Sequence, residues 1–130
     1  MKKTVEKPLY WVGSSLADLK NFPEDVKNAM GYSLDVAQNG GKSGSAKPLP
    51  GLVKGGRIFE VVDNHDGDTY RAVYTVQFEK AVYVLHAFKK KSNKGIATPK
   101  PDIEVIKARY KKAEEHYKAN KAGKNYGQEN

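Results

Sequence analysis

The sequence predicts an α+β domain: a small, mainly antiparallel sheet of about four strands, with two helices before it and one after it. Two patterns carry this expectation. Residues 69–78 and 81–88 are adjacent runs rich in aromatic and β-branched side chains, separated only by Glu79 and Lys80, as in an antiparallel hairpin. Apolar residues recur at helical spacing in Val26, Met30, Leu34 and Ala37, and again in Ile103, Ile106, Tyr110, Ala113 and Tyr117. A chain of 130 residues, 38% hydrophobic and 29% charged, suits one globular domain. Layer logic then packs the helices on one face of the sheet and leaves the other partly open.

Each element has its own justification. Leu9-Tyr-Trp-Val12, following Pro8, reads as a first strand. Ser14 or Ser15 can cap a first helix, and Ser15 with Asp18 has capping-box spacing ahead of Leu16, Leu19 and Phe22. Pro23 suits a first helical position, and Glu24 and Asp25 suit the positive end of a helix dipole, so a second helix runs toward Gly40-Gly41 with Met30 and Leu34 against the sheet. Residues 40–56, rich in Gly, Ser, Pro and Lys, read as a loop. A second strand over 57–62 turns through Asp63-Asn-His-Asp-Gly-Asp68 into the hairpin. Thr98 reads as the N-cap of the last helix with Pro99 at its first position. The domain is placed at residues 1–118, with a polar, frayed tail over 119–130.

Lysine and arginine outnumber aspartate and glutamate by 23 to 15, and the net charge of +8 favours a polyanionic partner. The chain has no cysteine, hence no disulfide framework or thiolate chemistry, which suits a reducing cytoplasm. No secretory signal or membrane-spanning run is read in it. His65, His86 and His116 have no short metal-ligand spacing, so no metal and no cofactor are expected. Residues 63–68 lack the closing Glu of a calcium loop, and neither a nucleophile elbow nor a phosphate-loop spacing occurs.

The hairpin register singles out candidate site residues. If Phe78 faces Ala81, Arg71 lies opposite Phe88 and Val73 opposite His86. Arg71 then shares a face with its diagonal neighbours His86 and Lys90, about 7–8 Å away between backbones. Tyr70, Ala72, Tyr74, Val76, Tyr83, Leu85 and Ala87 fall on the other face as a core. Gathered Arg, His and Lys side chains suit phosphate. The alternative for Arg71 is a strand residue paired with an acid such as Glu60, and for His86 a satisfied core histidine.

From about Pro8 to Tyr117 the sequence resembles the RelE/ParE toxin superfamily of type II toxin–antitoxin modules, within it the phage-derived HigB-like branch. The likeness lies in the order of Lys47-Pro-Leu-Pro-Gly-Leu52, Arg57-Ile-Phe-Glu-Val61, Tyr70-Arg-Ala-Val-Tyr74, Val84-Leu-His-Ala-Phe-Lys-Lys-Lys-Ser92 and Thr98-Pro99. The resemblance implies a RelE-like fold and a cytoplasmic mRNA interferase, which cleaves mRNA in the ribosomal A site without a metal and is neutralised by a cognate antitoxin, expected to be a helix-turn-helix protein. It implies Arg71 at the scissile phosphate, with Lys90 and Lys89 in support. Read from the chemistry of such a cleavage, Arg71 is a phosphate clamp, Lys90 and Lys89 stabilise charge, and His86 is a general acid or base if its ring reaches the open surface. Lys54, Arg57, Lys91 and Lys94 are expected to hold RNA. ParE-like members poison DNA gyrase instead, and a relative that binds RNA without cleaving it is a third possibility. No matching catalytic tyrosine is found near these residues; Tyr110, Tyr117 and Tyr126 lie in or beyond the last helix.

Overall fold

The computed structural model describes residues 6–91 and 98–121. The elements follow in the order β1 (Leu9–Trp11), α1 (Ser15–Lys20), α2 (Glu24–Gln38), β2 (Ala46–Pro48), β3 (Ile58–His65), β4 (Asp68–Thr75), β5 (Val82–Lys91) and α3 (Lys100–Lys121). The fold is α+β, with a five-stranded sheet ordered β1-β5-β4-β3-β2 in which only the β1–β5 pairing is parallel. The fifth strand is β2, inside the segment expected to be loop. It is a three-residue edge strand ending in Pro48, where a missing N–H is tolerated.

Helices cover both faces, which corrects the one-sided expectation. On one face, Leu19 and Phe22 from α1 and its exit, together with Val26, Met30, Leu34 and Ala37 of α2, pack on Val61, Tyr70, Ala72, Tyr74, Val82, Val84 and Ala87. On the other, Ile106, Tyr110, Ala113 and Tyr117 of α3 pack on Tyr10, Ile58, Val73, Phe78, Tyr83 and Leu85. A sheet with apolar residues at both alternations must bury both faces.

Local chemistry explains most boundaries. β3 and β4 meet at Asp66-Gly67, both with positive φ (50° and 83°), a two-residue turn that suits Asp-Gly and carries both strands into the segment expected to be turn. Ser15 is not the cap of α1: its hydroxyl reaches the Val84 carbonyl at 3.3 Å, while Ser14 donates to Asp18 at 2.7 Å. Pro23 stands one position before α2. The hydroxyl of Thr98 has no hydrogen-bond partner among the described residues, so it does not cap α3. The Pro99 carbonyl accepts from Ile103, and the helix begins at Lys100 and runs past residue 118. Among the described residues no helix is long and apolar enough to cross a membrane.

The β4–β5 register decides the site. From Asp68↔Lys91 to Val73↔His86 the pairing is the one read from the sequence, with Arg71 opposite Phe88. Between Val73 and Tyr74 it slips, so that Tyr74 faces Val84 and Leu85 is an extra residue on β5. This bulge places both Leu85 and His86 on the α3 side. Tyr83 and Leu85 therefore belong to the α3 core, not to the Ala72 face.

Candidate active site

Arg71, His86 and Lys90 share the sheet face that α3 crosses, as the register argument required. That face is not open at Arg71 and His86. Arg71 is 4% exposed, and its Nη1 donates to Glu60 Oε1 at 2.9 Å. Glu60 sits on β3 opposite Val73, diagonal to Arg71, within reach of a long side chain. The guanidinium thus holds a carboxylate, one of the two anions, with phosphate, that its planar fork suits.

His86 is buried and stacks on Phe88, with ring centroids 4.8 Å apart and planes 22° from parallel. Its Nε2 lies 2.7 Å from Asp102 Oδ1, in the first turn of α3. Its Nδ1 has no hydrogen-bond partner among the described residues. With Asp102 accepting from Nε2–H, a neutral ring carries its lone pair on Nδ1, the arrangement of an oriented acid–base histidine. Beyond α3 the same face continues through half-buried Val62, Phe88 and Lys90 to exposed Asn64, whose Oδ1 accepts from Thr69 at 2.9 Å.

The remaining expected residues are not gathered here. Lys89 is on the opposite face, opposite Tyr70, and pairs with Asp68 at 3.7 Å. For Lys91 only the backbone, opposite Asp68, is described; its side chain and Lys94 lie outside the described residues. Exposed Lys54 and Arg57 sit at the other end of β3. The Arg57 carbonyl accepts from the Val76 N–H just past the end of β4, five residues from Arg71, or about 16 Å at strand rise. Among the described residues no group of three His, Asp or Glu side chains could hold a metal ion.

Sequence reasoning missed Asp102. The signal was present, because Asp102 precedes Ile106 by four residues and so falls on the inward stripe of α3. An acid on an apolar stripe needs a partner, and His86 is the partner it finds.

A comparison with curated proteins gave no match. The family model described as phage derived protein Gp49-like (DUF891) matches residues 17–111, a span that holds Glu60, Arg71, His86, Lys90 and Asp102. That span is well over half of the chain, which therefore belongs to the Gp49-like family of phage-derived proteins.

Proposed function

We propose that this protein is the toxin of a type II toxin–antitoxin module, of the RelE/ParE superfamily and its HigB-like branch, acting as a ribosome-dependent mRNA endoribonuclease. Membership of a phage-derived, toxin-like family supports the broad class. The observation that carries the chemistry is the juxtaposition of Arg71 with an oriented His86–Asp102 pair on one sheet face, with Lys90 farther along it.

The reaction needs no more than these groups. A 2′-hydroxyl oxygen attacks the adjacent phosphorus and gives its proton to His86 Nδ1. The P–O5′ bond breaks, leaving a 2′,3′-cyclic phosphate, and solvent returns a proton to the departing 5′-oxygen. Arg71 exchanges the Glu60 carboxylate for a phosphate oxygen and stabilises the growing charge, and Lys90 adds a second cation. Reaching Nδ1 requires the His86 ring or the first turn of α3 to move. A cognate antitoxin with acidic side chains would compete for the same cations.

A second reading is favoured by one observation, the burial of Arg71 against Glu60. If that pair is purely structural, the chain is an RNA-binding relative without nuclease activity. Ribosomes programmed with a defined mRNA separate these readings. Cleavage in the A site that needs the ribosome, and that falls about 10²–10³-fold when the Arg71 cation is removed from a chain that still folds, is the expected result. No cleavage by folded protein would overturn the nuclease; gyrase inhibition in its place would identify the ParE-like activity.

A further inference from the structure

A second cationic site lies on the other face of the sheet, where the C-terminal end of α2 meets β3 and β4. It is a cavity of about 500 Å³ lined by Ala37, Phe59, Tyr74 and Val76 below and by Lys7, Lys42 and Arg57 around it, with Gly40 and Gly41 completing the wall. Among the described residues no carboxylate lines it. Its volume is that of a small-molecule site.

The three cationic residues reach it from separate segments, and hydrogen bonds anchor the backbone of Lys7 and of Arg57 and the ammonium of Lys42. Lys7 is pinned to the end of α2 by two hydrogen bonds, from its N–H to the Gln38 carbonyl (2.9 Å) and from Gln38 Nε2 to its own carbonyl (2.7 Å). Lys42 lines the cavity, and its Nζ donates to the Ala46 carbonyl at 3.2 Å. Arg57 has a positive φ of 42°, an uncommon and costly conformation for a side chain of this size. Thr75 and Val76 hold it there: Thr75 Oγ1 lies 3.2 Å, and the Val76 N–H 3.2 Å, from the Arg57 carbonyl. Among the described residues neither the Arg57 guanidinium nor the Lys7 ammonium forms an ion pair or side-chain hydrogen bond.

The bland account, that cations gather at the negative end of a helix, does not balance. A helix C-terminus carries about half a negative charge against three positive ones. Under the cations lies an aromatic pair, Phe59 stacked on Tyr74 at 5.8 Å and 20°, with Phe59 only partly buried. Cations above an aromatic floor match an anion attached to a flat ring.

We propose that this cavity binds a nucleotide, its phosphate held by Arg57, Lys7 and Lys42 and its base laid against Phe59. The nucleotide could be free or the 5′-terminal residue of an RNA strand, and the site does not depend on the nuclease reading, since it lies on the opposite face from Arg71. Isothermal titration of the full chain with AMP, with inorganic phosphate and with a short RNA, 5′-phosphorylated or 5′-hydroxyl, tests it. The informative variant is Arg57→Gly, which removes the cation and relieves the backbone, so it should melt no lower than the native protein. Lys7→Gln serves as a second probe at a half-buried position with ordinary backbone.

The expected result is that AMP binds more tightly than phosphate and that each substitution weakens AMP about tenfold or more. Binding of the phosphorylated RNA but not of AMP, lost with Arg57→Gly, also supports the site and makes RNA its source. Equal affinity for phosphate and AMP overturns the role of Phe59. Absence of binding by all four probes, or binding indifferent to both substitutions, overturns the proposal.

Discussion

The Arg71–Glu60 pair offers a test that separates structural from catalytic work, because both side chains are largely withdrawn from water, at 4% and 14% exposure. Replacing Arg71 alone by Met leaves Glu60 in that setting without its guanidinium, and replacing Glu60 alone by Met leaves the Arg71 charge without its carboxylate. Breaking a buried pair from one side costs about 3–5 kcal/mol. Domains of this size are stable by about 5–15 kcal/mol, so either single variant sits near the edge of folding. Loss of toxicity in Arg71→Met alone would therefore say little about catalysis. Replacing both partners by Met removes both charges and fills the space, which is often neutral in stability.

Urea unfolding followed by circular dichroism measures the cycle. With a slope of about 1–3 kcal/mol per molar urea, each single variant should lose one to several molar in midpoint. The double variant should return to within about 1 kcal/mol of native, where simple addition of the singles would cost about 6 kcal/mol or more, giving a coupling of about 5 kcal/mol or more. It should then cleave mRNA on programmed ribosomes about 10²–10³-fold more slowly than the native chain despite its intact fold. Two singles that each lose under about 0.5 kcal/mol and simply add would refute the reasoning, since that is how a solvent-screened surface pair behaves. A stable double variant with native cleavage would remove Arg71 from the mechanism.

Other substitutions read different parts of the fold. Gly31 lies inside α2 with nothing within 4 Å of an added Cβ, so Gly31→Ala should stabilise by about 0.5–1 kcal/mol, seen as a higher melting temperature. Gly13 has φ +59°, and a Cβ there would come within 2.6 Å of Arg109 Nε. Gly13→Ala should cost about 2 kcal/mol or more, combining left-handed strain with loss of the Arg109 hydrogen bonds to the Leu85 carbonyl and Ser14 Oγ, both 3.1 Å. Burial raises the Tyr74 hydroxyl above its ordinary value, and burial followed by the Glu114 charge raises that of Tyr110. The folded state thus favours their neutral forms, and the stability this confers is complete below about pH 10 and is lost as pH rises from there through the folded-state values. Urea midpoints at increasing alkaline pH should fall less steeply in the Tyr74→Phe/Tyr110→Phe variant than in the native chain; equal slopes would contradict it.

What could be read in advance followed unbroken periodicity, and what was hidden followed its interruptions. From Asp68 to Val73 the alternation of β4 is regular, so the diagonal placement of Arg71 beside His86 and Lys90 came from counting alone. The same counting put Tyr83 and Leu85 on the wrong face, because one extra residue inverts every side chain on one side of it. No residue type in Val84-Leu-His-Ala87 announces a bulge; apolar neighbours on both faces of a buried strand look alike whichever way they point. Coverage of the second face was legible in principle. Tyr83 and Leu85 on one alternation and Val82 and Val84 on the other leave no solvent side, and α3, with its own inward stripe, had to lie on one of them. The bulge then joins core to chemistry, since it lets Leu85 bury itself under α3 while His86, its immediate neighbour, points the same way to Asp102. A β5 shortened by the extra residue would keep the Arg71 register or the Leu85 packing, but not both. On this reasoning, deleting Leu85 should cost the fold more than truncating it to Ala, whose loss is about 2–5 kcal/mol of packing with the register intact.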